Sequence, residues 1–188
     1  MSNPAGPLVV QSDGTMLLEI HQPGAQELRS KLAAFAQLQK SPEYFHEYQI
    51  NTISLWNAAQ AGWSERKIVE LLEQNARYPV PRELILKIQE SLNNFGRLEL
   101  VRDGDNLILQ LSSARLGVDT LLEELSQRSA VAEFFEQPIV DGEESGSAQR
   151  FLIDPLQRGS LKVAMIRIGY PVVDRAGFVD GSDLDISI

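Results

Sequence analysis

Between residues 47 and 111 the chain runs through a short β-prone segment, three closely spaced helical segments and a hairpin, in that order. Glu47-Tyr48-Gln49-Ile50 is the β-prone run, and Asn51-Thr52 behind it supplies two residues able to cap a helix. Residues 53–59 carry apolar side chains at three-to-four spacing and lead to Gly62, a helix-ending residue. Ser64 caps the next segment, whose inner side is Ile68, Leu71 and Leu72. After Pro79-Val80-Pro81 a longer helix sets Leu84, Ile85, Ile88, Leu92 and Phe95 on one side and ends at Gly96. Residues 97–101 and 107–111 then alternate around Asp103-Gly104-Asp105-Asn106, a hairpin signal because such turns need positive φ.

Strand, three helices and hairpin is the order of a winged helix, a fold that binds nucleic acid or protein far more often than it does chemistry. Upstream, residues 8–11 and 15–19 read as a second hairpin around Ser12-Asp13-Gly14. Residues 25–38 read as an amphipathic helix with Leu28, Leu32, Phe35 and Leu38 inward. These elements are expected to pack on the winged helix as one N-terminal domain, residues 1–112, with a linker at 113–117. A small mixed α/β lobe is expected over 118–188. It would comprise helices at 118–127 and 130–136, an acidic loop at 141–147, a strand at Phe151-Leu152-Ile153, and a helix opened by Asp154 and Pro155. Leu161, Ala164, Met165 and Ile168 form that helix's inner face, Gly169 closes it, and Val172-Val173 and residues 184–188 are strand candidates. The expected fold class is α+β.

Composition narrows the function. At 188 residues the chain can bury the core of one large domain or of two small ones. No apolar run reaches the length of a bilayer span, and residues 1–7 lack a basic n-region and an apolar h-region, so a cytoplasmic protein is expected. Zero cysteines exclude disulfides, thiolate metal sites and cysteine nucleophiles. The net charge of −9, split as −3 over residues 1–112 and −6 over 113–188, opposes a strong nonspecific grip on DNA, which depends on cations displacing counterions. A nucleic-acid role must use a local patch or lean on a basic region outside this chain.

The motifs of chemistry are missing. No G-x-x-x-x-G-K-[ST] occurs, and the nearest run, Gly159-Ser160-Leu161-Lys162, lacks the spacing and falls inside a predicted helix. His21 and His46 are the only histidines and lie in different segments without a metal-type partner. No G-x-S-x-G elbow is present. Asp180, Gly181, Asp183 and Asp185 match a calcium loop too poorly and read as an acidic exit segment. The chain is expected to be non-catalytic, with no metal or cofactor of its own.

The helix that begins near Pro81 occupies the place of a recognition helix. Arg82, Lys87, Asn93 and Asn94 on its outer face, with Arg97 and Arg102 on the adjoining wing, are suitable donors to phosphates and base edges. Glu83 and Glu90 would repel a backbone, and a solvated face is the favoured plain reading. In the lobe, Arg150, Arg158, Lys162, Arg167 and Arg175 are the places to look for DNA contact. His46 could be a ligand or a pH-sensitive contact, but a strand-entry histidine bonded to backbone is preferred. Trp56 and Trp63 could stack on unpaired bases. Core packing is preferred for Trp56 and a hydrophobic cap between helices for Trp63.

Pro7-Leu8-Val9-Val10, Asp13-Gly14, Leu17-Leu18-Glu19, His46-Glu47-Tyr48, Ser54-Leu55-Trp56-Asn57-Ala58-Ala59, Gly62, Tyr78-Pro79-Val80-Pro81 and Tyr170-Pro171 also form a recognisable series. It resembles, in order and over nearly the whole chain, the N-terminal region of the XPB-type DNA repair helicases of superfamily 2, in a bacterial form. The resemblance implies that the helicase core would follow the acidic segment matched by Asp183-Leu184-Asp185-Ile186, leaving this chain as a piece without its motor. ATP and magnesium would then belong to that missing core. It implies an accessory role in an ATP-dependent 3′-5′ helicase of nucleotide excision repair, with residues 118–188 corresponding to a lobe that senses distorted or damaged DNA. Expected partners are the helicase core of the same polypeptide, DNA through the parent protein, and no membrane. The alternative is a protein-docking adaptor that binds a repair or transcription partner through its winged helix, as eukaryotic relatives dock on transcription factor IIH. A free-standing regulator is the weakest reading.

Overall fold

Asp13 and Gly14 turn the first hairpin as their chemistry demands. β1 (Leu8–Val10) pairs antiparallel with β2 (Thr15–Glu19), and Gly14 sits at φ 92°. A Cβ at Gly14 would lie 2.8 Å from the Ile50 carbonyl oxygen, so only glycine fits there. The computed structural model describes residues 5–112, 118–139 and 148–177. Two units, Met1–Phe95 and Gly96–Ile188, each enclose their own hydrophobic cluster.

In the first unit an antiparallel sheet runs in the order β1-β2-β4-β3, with β3 at Gln37–Lys40 and β4 at Phe45–Gln49. Alternation places Met16, Leu18 and Tyr48 in the core and leaves Leu17, Glu19 and Glu47 partly exposed. The helix expected over 25–38 is shorter: α1 covers Ala25–Leu32. The Phe35 and Ala36 amides still bond to the Leu32 carbonyl, at 3.1 and 2.9 Å, which swings Phe35 into the core and releases the chain into β3. Leu38, expected inward, is therefore an exposed strand residue.

α2 (Thr52–Gln60), α3 (Glu65–Asn75) and α4 (Arg82–Asn94) follow, each opened as the sequence indicates. Asn51 and Ser54 form a reciprocal capping box at α2, and the Ser64 hydroxyl accepts the Lys67 amide at α3. Leu55, Ala58, Ile68, Leu72, Leu84 and Ile88 are buried among the sheet residues Leu8, Met16 and Leu18. Trp56 is buried and donates its indole N–H to the Ser91 carbonyl at 3.1 Å, tying α2 to α4. Trp63 packs on Phe35 with ring centroids 5.5 Å apart.

The second unit contains β5 (Leu98–Asp103), β6 (Asn106–Ser112), α5 (Val118–Ser126), β7 (Ala148–Ile153), α6 (Arg158–Arg167) and β8 (Val172–Asp174). A one-turn 3₁₀ helix covers Ala132–Phe135, and another, Pro155–Gln157, leads into α6 with the Asp154 carboxylate accepting the Leu156 amide. The sheet order is β7-β6-β5-β8, antiparallel except for the β5–β8 pair. Its inner face, Leu98, Leu100, Leu107, Leu109, Leu111, Phe151 and Ile153, is covered by Leu121 and Leu125 of α5 and Leu161 and Met165 of α6.

This pairing corrects the winged-helix expectation. In that fold the strand before the helices and the hairpin after them share a sheet. Here β4 lies between β2 and β3, and the hairpin is bonded on both edges by β7 and β8. The unit boundary falls between Phe95 and Gly96, which places the hairpin in the second unit. The fold is α+β with two separate sheets and six α-helices among the described residues. The expected linker at 113–117, the acidic loop at 141–147, the strand at 184–188 and the Asp180–Asp185 segment lie outside the described residues.

Candidate nucleic-acid interface

α4 is amphipathic because Leu84, Ile88 and Ser91 recur on its buried side. Arg82, Lys87 and Asn93 come out exposed, with Glu83, Leu86 and Glu90 on the same side, while Asn94 is half-buried. Arg82 and Lys87 make no ion pair among the described residues. Of the candidates, these two are exposed cations on one helix outside any ion pair among the described residues, although Lys87 is close enough to help lower the Asp13 carboxyl.

The hairpin cations are differently placed. Arg97 is half-buried, its guanidinium 5.8 Å from the centre of the Tyr170 ring, and Arg128 stands 6.0 Å from the same ring. Tyr170 donates its hydroxyl to Glu124 at 2.9 Å, and Glu124 also pairs with Arg128 at 2.7 Å. Burial, reinforced by the Glu124 carboxylate, raises the Tyr170 phenol above its ordinary range. Arg97 is therefore a packing cation against the Tyr170-Pro171 motif. Arg102 is exposed and donates to the Ala176 carbonyl at 3.4 Å.

In the lobe most candidates are already committed. Arg158 grips Asp174 with two hydrogen bonds of 2.9 and 2.7 Å, and Lys162, one turn on, reaches the same carboxylate at 3.0 Å. Burial works to raise the Asp174 carboxyl, but those two cations bring it below its ordinary value. Arg150 pairs with Asp103 at 2.6 Å and Arg175 with Glu99 at 3.2 Å. Arg167 alone of the lobe's candidates is exposed without an ion pair among the described residues.

His46, expected to bond to backbone, is 6% exposed and its Nδ1 has no hydrogen-bond partner. Sequence reasoning missed Asp174 as the anchor of two candidate cations, because a turn through Gly169-Tyr170-Pro171 separates them. Among the described residues no group of His, Asp and Glu has the arrangement of a metal site, and no helix is long and apolar enough to cross a membrane.

Residues 8–137 match the family described as the helicase conserved C-terminal domain, and the chain belongs to that family. It is 36% identical over 176 residues to the DNA 3'-5' helicase XPB of Kineococcus radiotolerans, covering 94% of this chain and 30% of that protein. Against the DNA 3'-5' helicase XPB of Mycobacterium tuberculosis the identity is 35% over 183 residues, covering 97% and 31%. A general transcription and DNA repair factor IIH helicase/translocase subunit XPB from Enterocytozoon bieneusi is 25% identical over 168 residues, covering 89% and 26%. The XPB-type resemblance carried by the motifs thus holds over nearly the whole chain, which spans 26% to 31% of the length of these relatives.

Proposed function

We propose that the chain is a non-catalytic accessory module of an XPB-type, ATP-dependent 3′-5′ DNA helicase acting in DNA repair, and that it engages DNA through α4. The observation that carries this reading is the alignment of 94% of the chain with less than a third of a DNA 3'-5' helicase XPB. Arg82 and Lys87 support the contact surface, being exposed cations on one helix and free of ion pairs among the described residues. The lobe supports a damage-sensing role less well, because Arg158, Lys162, Arg150 and Arg175 are bound to carboxylates.

ATP and magnesium would be held by the remainder of the longer helicase. In support of this assignment, one first-turn amide of α2 is taken by Asn51 and one of α3 by Ser64. The test is titration of forked, mismatched and intact duplexes at two salt concentrations. Binding that favours the forked or mismatched forms supports DNA engagement with sensing; equal affinity for all three removes the sensing role, and no binding at either salt removes α4 as a DNA surface.

A further inference from the structure

The second unit contains a cleft of about 430 Å³ beside the tip of its hairpin. Leu107, Phe134 and Ile153 form its buried floor, each only 3% exposed. Asp105, Glu133 and Asp154 also line it, all three exposed, and no Lys or Arg does. Leu152 belongs to the lining at 39% exposure, and Leu156, between the lining residues Pro155 and Gln157, is 92% exposed. The fold makes almost no use of Leu156, so a leucine stands in water beside this cleft.

The chemistry of this surface selects its occupant. Three carboxylates without an intervening cation repel phosphate and attract ammonium or guanidinium groups. The exposed Leu152 and Leu156 offer apolar contact for a large aliphatic or aromatic side chain. We propose that the cleft docks a protein segment in which Lys or Arg flanks such a side chain. The apolar anchor packs on Leu152 and Leu156, and the cations meet Asp105, Glu133 and Asp154. The surface belongs to a different unit from α4, so it stands or falls independently of the DNA reading.

The test uses the 188-residue chain and a fluorescein-labelled peptide with two leucines flanked by arginines. Controls replace the leucines with serine, or the arginines with glutamate. The arginine-leucine peptide is expected to bind, and Leu156→Ser and Glu133→Lys should each weaken it about tenfold or more. Both control peptides should bind far less. Unchanged affinity in both variants would show general attraction to an acidic chain and overturn the proposal, as would equal binding of the glutamate peptide or no binding at all. Because Leu156 is a surface residue, an unchanged circular dichroism spectrum establishes that Leu156→Ser is folded, and Glu133→Lys tests the acidic rim separately.

Discussion

Asp174 accepts both of the Arg158 guanidinium hydrogen bonds and so joins the edge strand β8 to the first turn of α6. Asp174 is the cross-strand neighbour of Leu100, and Lys162 bonds it from one helical turn further on. A carboxylate held by two cations fixes the angle at which α6 lies over the sheet, and its side chain is only 13% exposed.

Asp174→Asn is expected to cost about 1–3 kcal/mol, since it leaves two cations without their shared anion in a half-buried site. The wild-type carboxyl lies below its reference value of 3.8. Its contribution is therefore fully present above that value and lost as acid takes the pH down through the folded pKa. Urea unfolding of wild type and variant at pH 7 and in the acid range should show the gap narrowing as pH falls.

Arg82→Glu with Lys87→Glu should weaken duplex binding and lower the slope of log affinity against log salt by about two. Fluorescence anisotropy over a salt series measures both. An unaltered slope would move the contact off α4.

Trp56→Phe keeps the ring in the core but removes the donor to the Ser91 carbonyl. The expected loss is about 1–2 kcal/mol, read from the denaturant midpoint. Loss much below this would mean that the Ser91 carbonyl finds another donor.

Gly14→Ala places a methyl 2.8 Å from the Ile50 oxygen at a φ that L-residues avoid. A destabilisation of about 1–3 kcal/mol is expected. Gly104→Ala serves as a control, since its φ is also positive but nothing lies within 4 Å of the added Cβ. Gly14→Ala should lower the melting temperature further than the control.

Much of the local structure was legible. α2, α3 and α4 follow from Asn51, Ser64 and the spacing of Leu55, Ile68, Leu72, Leu84 and Ile88, because caps and helical periodicity are local signals. β3 was not, since Gln37-Leu38-Gln39-Lys40 is exposed throughout and lacks the alternation that marks a half-buried strand. Leu38 also falls in register with Leu28 and Phe35, which extends a helical pattern past its real end. The hairpin was legible from Asp103-Gly104, but turn residues cannot name the strands that will flank it. Of the candidate site, Arg82 and Lys87 came out on the outer side of α4 as read. Arg97, Arg158 and Lys162 carried no sign of being engaged, because their partners Tyr170 and Asp174 come from segments distant in the chain.

The hairpin's second flank has a consequence for synthesis. β8, the last strand among the described residues, lies parallel against β5, whose outer hydrogen-bonding groups stay bare until Val172 emerges from the ribosome. Nascent chains stalled before that point would carry a sticky edge, and their handling by chaperones would be governed by the three residues Val172 to Asp174.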